Sequence, residues 1–570
     1  MKRVMFFTLL ATFFAAGCSK SDIISGTSST TPSTDTDVFN TDEDYIANTE
    51  FDRTISIVWT NSSATVSGDA NGVVSVSGTD VTVNNTTTSE KVKYQLSGSC
   101  SNGSLKLYSN NKQALVLSSL TLTSTNGAAI NNQGKKRCFV VLDGSSTLAD
   151  GSSAAYSTSS SEDLKAVIFS EGQLIFSGSG NLTVNANNAQ GKAGITSDDY
   201  VMFLGSGTVK VTSGSSAGHG VRGKEAVAVN SGTLNVTVSA AMKKGVASDS
   251  LVVFNGGVTT VTASGGTAYD SDDKEYKASA GVKADQVFKM NSGTLNVTNS
   301  GQGGKGITGD AVAYFNGGTV TVKATGKNYG SSSSSNSKSA KAIKFDGDIH
   351  FNGGTVSAVA SNHEGIEAKG AIDFTDGVIY AQSTDDAINS AKNMTFTGGS
   401  ICAYSTGNDG IDANGNMYIN GGLVYAIGSS SPEVAFDANT EGGYKLYLNG
   451  GTVIAIGGME GGSSLSQSCY SASWSSNTWY SITVGSTTHA FKTPSSGGSG
   501  MVVSGSSQPS VASGVSTSGG TSVWNSMGVL NCKTSGGSTV SLSAYSGGSS
   551  MGGGGIPGGG PGGGPGGRGF

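Results

Sequence analysis

GIDANGNMYINGGLVYA, residues 410–426, decides the fold. In it Met417, Ile419, Val424 and Ala426 fall on one side and Tyr418 and Tyr425 on the other. A period of two is the signature of strands. Gly421 and Gly422 interrupt the alternation and supply a bend that needs glycine conformations.

The pattern recurs. Segments such as GVKADQVFKMNSGTLNV, GITGDAVAYFNGGTVTV, GIEAKGAIDFTDGVIYA and AINSAKNMTFTGGSICA each open on Gly or Ala and an aliphatic residue. That residue stands at 195, 221, 246, 282, 307, 343, 366, 388 and 411. A turn Gly follows at 207, 232, 257, 293, 318, 354, 377, 399 and 422. A looser copy runs from Phe436 to Gly451. Two of the steps are longer and carry insertions around TAYDSDDKEYK and KNYGSSSSSNSK. A unit this short cannot bury its own apolar side, so the units must stack around a continuous core. The Leu signature of leucine-rich repeats is absent and the period is too short for a propeller. The expected fold is all-β, a parallel β-helix about 50 Å long at ~4.8 Å per coil.

The rest of the chain is organised around this array. Residues 1–17 read as a signal peptide: Lys2 and Arg3, then an apolar run ending at small residues. AAGC at 15–18 is similar to a lipoprotein lipobox, which implies cleavage before Cys18, its lipidation, and membrane contact through that anchor alone. Residues 18–45 read as a Ser/Thr-rich tether and 46–125 as strands that cap or lead the helix. The helix proper spans 126–458, a small C-terminal β segment 459–548, and a Gly-rich disordered tail 549–570. The expected location is the outer membrane or cell surface of a Gram-negative bacterium. A net charge of −6 without a basic stripe excludes nucleic acid as the partner. Of the five further cysteines, an exported chain can pair some, Cys469 with Cys532 for instance.

Repeats in register turn positions into columns. Two residues before the aliphatic position stand Glu364, Asp386 and Asp409 in consecutive coils; one residue after it stand Glu367, Asn389, Asp412 and Asp437. His363, Asp385 and Asn408 precede the first column. Two carboxylates ~4.8 Å apart repel by about 3.5 kcal/mol at an effective dielectric of 20, an upper guide once side chains splay and salt screens. Asp and Asn favour turns, which accounts for scattered acids such as Asp198 or Asp310. It does not account for two columns filling with acids in the same coils. Ca²⁺, which takes six to eight oxygens in flexible geometry, suits such a ladder. The candidate metal ligands are therefore Glu364, Glu367, Asp385, Asp386, Asn389, Asn408, Asp409, Asp412 and Asp437. Tyr380, Tyr404, Tyr418 and Tyr425 are candidates for stacking on sugar rings.

SNHEGIEAKG, STDDAINSAKNMTFTGGSI and TGNDGIDANGNMYINGGLV resemble the core motifs of a family of bacterial carbohydrate-binding, calcium-binding right-handed parallel β-helix proteins related in fold to pectate lyases. The resemblance covers about residues 60–545. It implies binding of acidic, plant-type polysaccharide at the cell surface, with calcium in the solenoid turns; the expected role is binding without chemistry. Two other readings stand beside it. A polysaccharide lyase would need calcium and a Lys or Arg base, for which Lys344 and Lys369 are the candidates. A structural or adhesive solenoid would use calcium for stacking alone. A polygalacturonase-like hydrolase is disfavoured: GHG occurs at 218–220, but no N-T-D precedes it and no R-I-K follows.

Overall fold

Each coil carries three short strands. In one these are Ile411–Ala413, Met417–Ile419 and Leu423–Ile427; in the next, Phe436–Ala438, Leu446–Leu448 and Thr452–Ile456. The first strand of each coil joins a 15-stranded sheet, and the other two join a 29-stranded sheet that wraps the remaining sides. The computed structural model describes residues 41–547 apart from 153–155, 157–161, 163–165 and 332–333. The signal segment, Cys18 and the Gly-rich tail lie outside the described residues, as does most of the tether.

The pairing is parallel and in register from coil to coil. Ile366, Ile388, Ile411 and Phe436 are successive partners and none is exposed to solvent. The repeated aliphatic position is thus the core, and it runs unbroken along the solenoid. Phe315, Phe351, Phe374 and Phe396 stack inside it at 4.9, 4.9 and 4.6 Å between ring centroids. At the corner between the second and third strands, Asn255 Nδ2 donates to Asn230 Oδ1, Asn291 to Asn255, Asn316 to Asn291 and Asn352 to Asn316, at 2.8–2.9 Å. Each link gives an outer side chain an amide partner one coil away.

The turn glycine beside that corner has a physical reason to recur. Gly422 has φ +81° and Gly399 φ +79°, in the left-handed region. A Cβ on Gly422 would sit 2.7 Å from the carbonyl oxygen of Gly398 in the preceding coil. Gly207, the first turn glycine of the series, is not among the positive-φ positions.

The strands of residues 53–124 are stacked in the same sheets: Val92 pairs with Gln113 and Gln113 with Cys138, all in parallel. The two insertions extend from the solenoid as a hairpin of Ala268–Asp270 with Glu275–Lys277 and a loop closed by the Tyr329–Lys338 bridge. At the far end, Thr452–Ile456 pairs in antiparallel fashion with Met501–Ser504. That reversal terminates the parallel ladder and covers its open edge. A six-stranded antiparallel sheet, which includes Trp479–Val484 and Thr487–Lys492, completes the C-terminal segment. Its Tyr480, Phe491 and Trp524 bury Tyr380, Cys402, Tyr425 and Ile454 on the outside of the large sheet. Cys100, Cys138, Cys402, Cys469 and Cys532 are all buried and unpaired, so the Cys469–Cys532 pairing does not form.

Gly422→Ala should cost about 2 kcal/mol, from positive φ and the carbonyl clash together. The check is a lower urea midpoint with an unchanged m value. An unaltered midpoint would show that the corner has room to relax.

Candidate functional site: an acidic ladder on the small sheet

Glu364, Asp386 and Asp409 are 7, 5 and 6% exposed, so they are not solvated turn acids. They enter the small-sheet strands two residues before the core position, at the corner where one coil passes to the next. On the strands themselves, Lys344, Glu367, Asn389, Asp412 and Asp437 are successive register partners and stay half-buried. The two columns interlock. Asn389 Nδ2 donates to Asp386 Oδ2 at 3.0 Å and to Asp412 Oδ2 at 2.9 Å. The Asp409 amide donates to Asp386 Oδ1 at 3.2 Å, and Val434 N–H to Asp409 Oδ1 at 2.6 Å. Asn408 Nδ2 donates to Asp385 Oδ1 at 2.9 Å.

The ladder divides electrically into two halves. In the upper half the chain supplies its own cations. Lys341 Nζ lies 3.1 Å from Glu364 Oε2 and 2.6 Å from Glu367 Oε2, the latter an ion pair without the angle of a hydrogen bond. His363 Nδ1 contacts Glu364 and lies 3.0 Å from Asp385 Oδ2. Burial works against the charge on His363, but the hydrogen bonds to Asp385 and Glu364 outweigh it and push the imidazole up to about 9. Burial would likewise raise Glu364 and Asp385, yet His363 and Lys341 hold both below the usual carboxylate range. His363, Glu364 and Asp385 are close enough together to hold a metal ion. The proton on His363 and a metal ion would compete for that place.

In the lower half, among the described residues, no such cation pairs with Asp386, Asp409 or Asp437. Burial, then the neighbouring Asp385, pushes Asp386 up to about 8, Asn389 offsetting in part. Burial also pushes Asp409 up to about 8, with Asp437, Glu433 and Asp412 adding repulsion and the Val434 amide opposing it. Burial and then Glu460 and Glu441 bring Asp437 to about 6. Asp386, Asp409, Asp412 and Asp437 are the acids that would supply oxygens to a calcium ion in this half. Asp386, Asp409 and Asp437 are oxygen donors from three coils that other acids repel and that form no ion pair among the described residues. Glu364, Glu367 and Asp385, candidates by column alone, already have protein partners.

Lys341 is the residue that sequence reasoning missed. It stands two residues before Ile343, at the head of the Glu364 column, and the aligned repeats carry that signal. Lys344 and Lys369, the two lysines weighed as bases, both pair with Asp346, at 2.5 and 2.9 Å.

The aromatic candidates separate. Tyr380 and Tyr425 are 4 and 0% exposed, beneath the C-terminal sheet. Tyr425 meets Phe491 at 5.2 Å and donates to the Lys492 carbonyl at 3.1 Å; Trp524 Nε1 donates to the Ser400 carbonyl at 3.0 Å. These two rings cannot receive a sugar. The alternation that pointed them away from the core pointed them into a second core. Tyr404 is half-buried against the same cluster. Tyr418 stacks on Tyr447 at 5.0 Å and remains half-exposed.

A stacked β-solenoid with a crowded acidic face belongs to the class of elongated, repeat-built scaffolds that present one long surface to a partner. The chain belongs to a family described as carbohydrate-binding domain-containing protein: its model matches residues 77–243 and again 191–387, together more than half of the 570 residues. The second match ends inside the ladder, after Asp386. Among curated proteins none matches the chain. A solved structure described as the polysaccharide lyase-like protein from C. thermocellum, a gadolinium derivative, is similar at 21% identity, over 46% of this chain and 96% of that one, with a TM-score of 0.37.

Lys341→Met leaves half-buried Glu367 without its cation and Glu364 with His363 alone, and should destabilise the fold by about 3 kcal/mol in EDTA. Urea unfolding of the variant measures it. A loss below about 1 kcal/mol would mean that solvent already screens the pair.

Proposed function

We propose that this protein is a calcium-dependent binder of acidic polysaccharide, displayed at the bacterial surface as a lipoprotein, and that it performs no chemistry. The observation that carries the reading is the lower half of the ladder. There Asp386, Asp409 and Asp437 are repelled by neighbouring acids and, among the described residues, pair with no lysine, arginine or histidine. Buried like charges in that arrangement favour either protons or a shared cation. Bound calcium would supply positive charge shared between these carboxylates and the carboxylates of a uronate polymer. The chain's own contribution is to hold the oxygens in register: Asn389 ties the two columns, and the Asp409 and Val434 amides orient the carboxylates. Membership of a carbohydrate-binding family supports the polysaccharide part of the reading. The lyase alternative is weakened because Lys344 and Lys369 are both engaged by Asp346.

Two measurements test the reading. At calcium a hundredfold above its Kd, the wild type should gain about 2.7 kcal/mol of stability over its state in EDTA. Asp409→Asn should melt higher than wild type in EDTA, because a buried repulsion is gone, and respond little to calcium. Retention on polygalacturonate should follow the same order. A melting temperature indifferent to calcium removes the metal; calcium-stabilised protein that binds equally in EDTA makes the metal structural only. Separately, Cys18→Ser should move the protein from the membrane fraction to the soluble one. A variant that stays in the membrane fraction rules out the anchor.

A further inference from the structure

The column that ends in Glu364, Asp386 and Asp409 begins with the opposite charge. Upstream, at the same position in successive coils, stand His219, Lys244, Ala280, Lys305 and Lys341. The neighbouring column holds Arg222, Lys283 and Lys344 before Glu367. Polarity reverses in a single step, between the coil of Lys341 and that of Glu364. The small sheet is a bipolar surface along the solenoid.

The two cationic columns differ in how they are neutralised. Arg222 pairs with Asp249, Lys283 with Asp285 and Asp310, and Lys344 with Asp346. Lys244 and Lys305 reach no carboxylate among the described residues. Their Nζ atoms donate to the carbonyls of Met242 at 2.7 Å and Gly303 at 3.0 Å. Burial, followed by repulsion from neighbouring lysines, lowers them to about 8 and about 7. These half-buried ammonium groups are short of an anion.

Both insertions leave the solenoid beside these coils, where Met242 N–H donates to the Gly266 carbonyl and Gly303 N–H to that of Lys327. The hairpin places Tyr269 and Tyr276 with ring centroids 5.3 Å apart, and Tyr329 of the second insertion lies 5.5 Å from Tyr276. Tyr269 is 52% exposed, among the most exposed large apolar side chains of the described residues. The insertions flank the loop of Gly303. Thr267 N–H donates to the Gln302 carbonyl and Gly303 N–H to that of Lys327, and a Cβ on Gly303 would meet both Thr267 and Lys338. Lys277, next to Tyr276, is near enough to Lys244 to act on its charge, and Lys338, paired with Tyr329, does the same to Lys305. Tyrosine rings on loops that border two lysines without a carboxylate partner match a sugar ring that carries a carboxylate.

We propose that Tyr269, Tyr276 and Tyr329, with Lys244 and Lys305, form a second, calcium-independent subsite for the uronate residues of an acidic polysaccharide. This rests on the polysaccharide-binding reading, and it gives the acidic polymer two footholds on one face: direct ion pairing at the basic end, a metal at the acidic end. The occupant is a uronate chain rather than a neutral glucan, because the unmet charge is what distinguishes this surface.

The test is calorimetric titration of the full chain with polygalacturonate oligomers, in calcium and in EDTA, with neutral cello-oligomers as control. In EDTA the wild type should retain salt-sensitive binding to the uronate oligomers and none to the neutral ones. Tyr269→Ala with Tyr276→Ala should weaken it about tenfold, as should Lys244→Gln with Lys305→Gln. Tyr269→Phe with Tyr276→Phe should preserve it, since the rings remain. Asp409→Asn with Asp412→Asn should leave the EDTA binding intact. Melting curves of each variant establish that it folds. Binding that requires calcium altogether overturns this subsite and leaves the ladder reading standing. So does EDTA binding that neither pair of substitutions weakens, or cello-oligomers bound as tightly as uronate. Binding lost with the tyrosines and with no calcium-dependent increment overturns the ladder reading and not this one.

Discussion

Parallel, in-register stacking at ~4.8 Å per coil is the constraint on which everything else in this protein depends. Every residue meets its own equivalent in the coil above and the coil below. For apolar and amide side chains that is favourable. Phenylalanines stack ring on ring, and asparagines donate to one another along a corner. For a turn glycine it is restrictive, because the backbone of the preceding coil occupies the place of a Cβ. For charge it is a problem that each coil must solve. A repeated acid repels its neighbour unless a cation from the chain, a proton or a metal intervenes.

The small sheet shows these solutions side by side. Glu364 and Glu367 meet Lys341, and Asp385 meets His363, so two cations of the chain offset three carboxylates. From Asp386 onward no such cation pairs with the column among the described residues, and burial with neighbouring acids pushes Asp386 and Asp409 up to about 8. The same backbone in the same register therefore gives a closed electrostatic unit at one level and an open one at the next. The difference lies in two side chains, not in the fold. At the other end, Lys244 and Lys305 are open in the opposite sense.

A solenoid must also end. The antiparallel strand Met501–Ser504 closes the sheet edge, and the sheet beyond it lies over one side of the coils. This cover converts outward positions into interior ones. Tyr380, Cys402 and Tyr425 occupy equivalent places in three coils and all three are buried by it. The open face is left to the small sheet and to the insertions that border it.

How much was legible follows from this. The period of two, the glycine spacing and the recurring aliphatic residue specify strands, corners and core, because those are local demands repeated coil after coil. Given the repeat, the columns follow, and with them the places of Glu364, Asp386, Asp409 and their neighbours. What local pattern could not carry was which side chains find partners across coils and which faces are covered. Lys341 neutralises acids 23 and 26 residues downstream. Trp524 is bonded to Ser400, 124 residues away. Tyr269, Tyr276 and Tyr329 read as parts of two unrelated insertions until the stacking brings them together. The sequence by itself determined the solenoid and the order of its columns, because each coil repeats the same short-range demands. The tertiary structure alone decided which charges stay unmet and which aromatics stay open, because both depend on contacts between residues that no repeat relates.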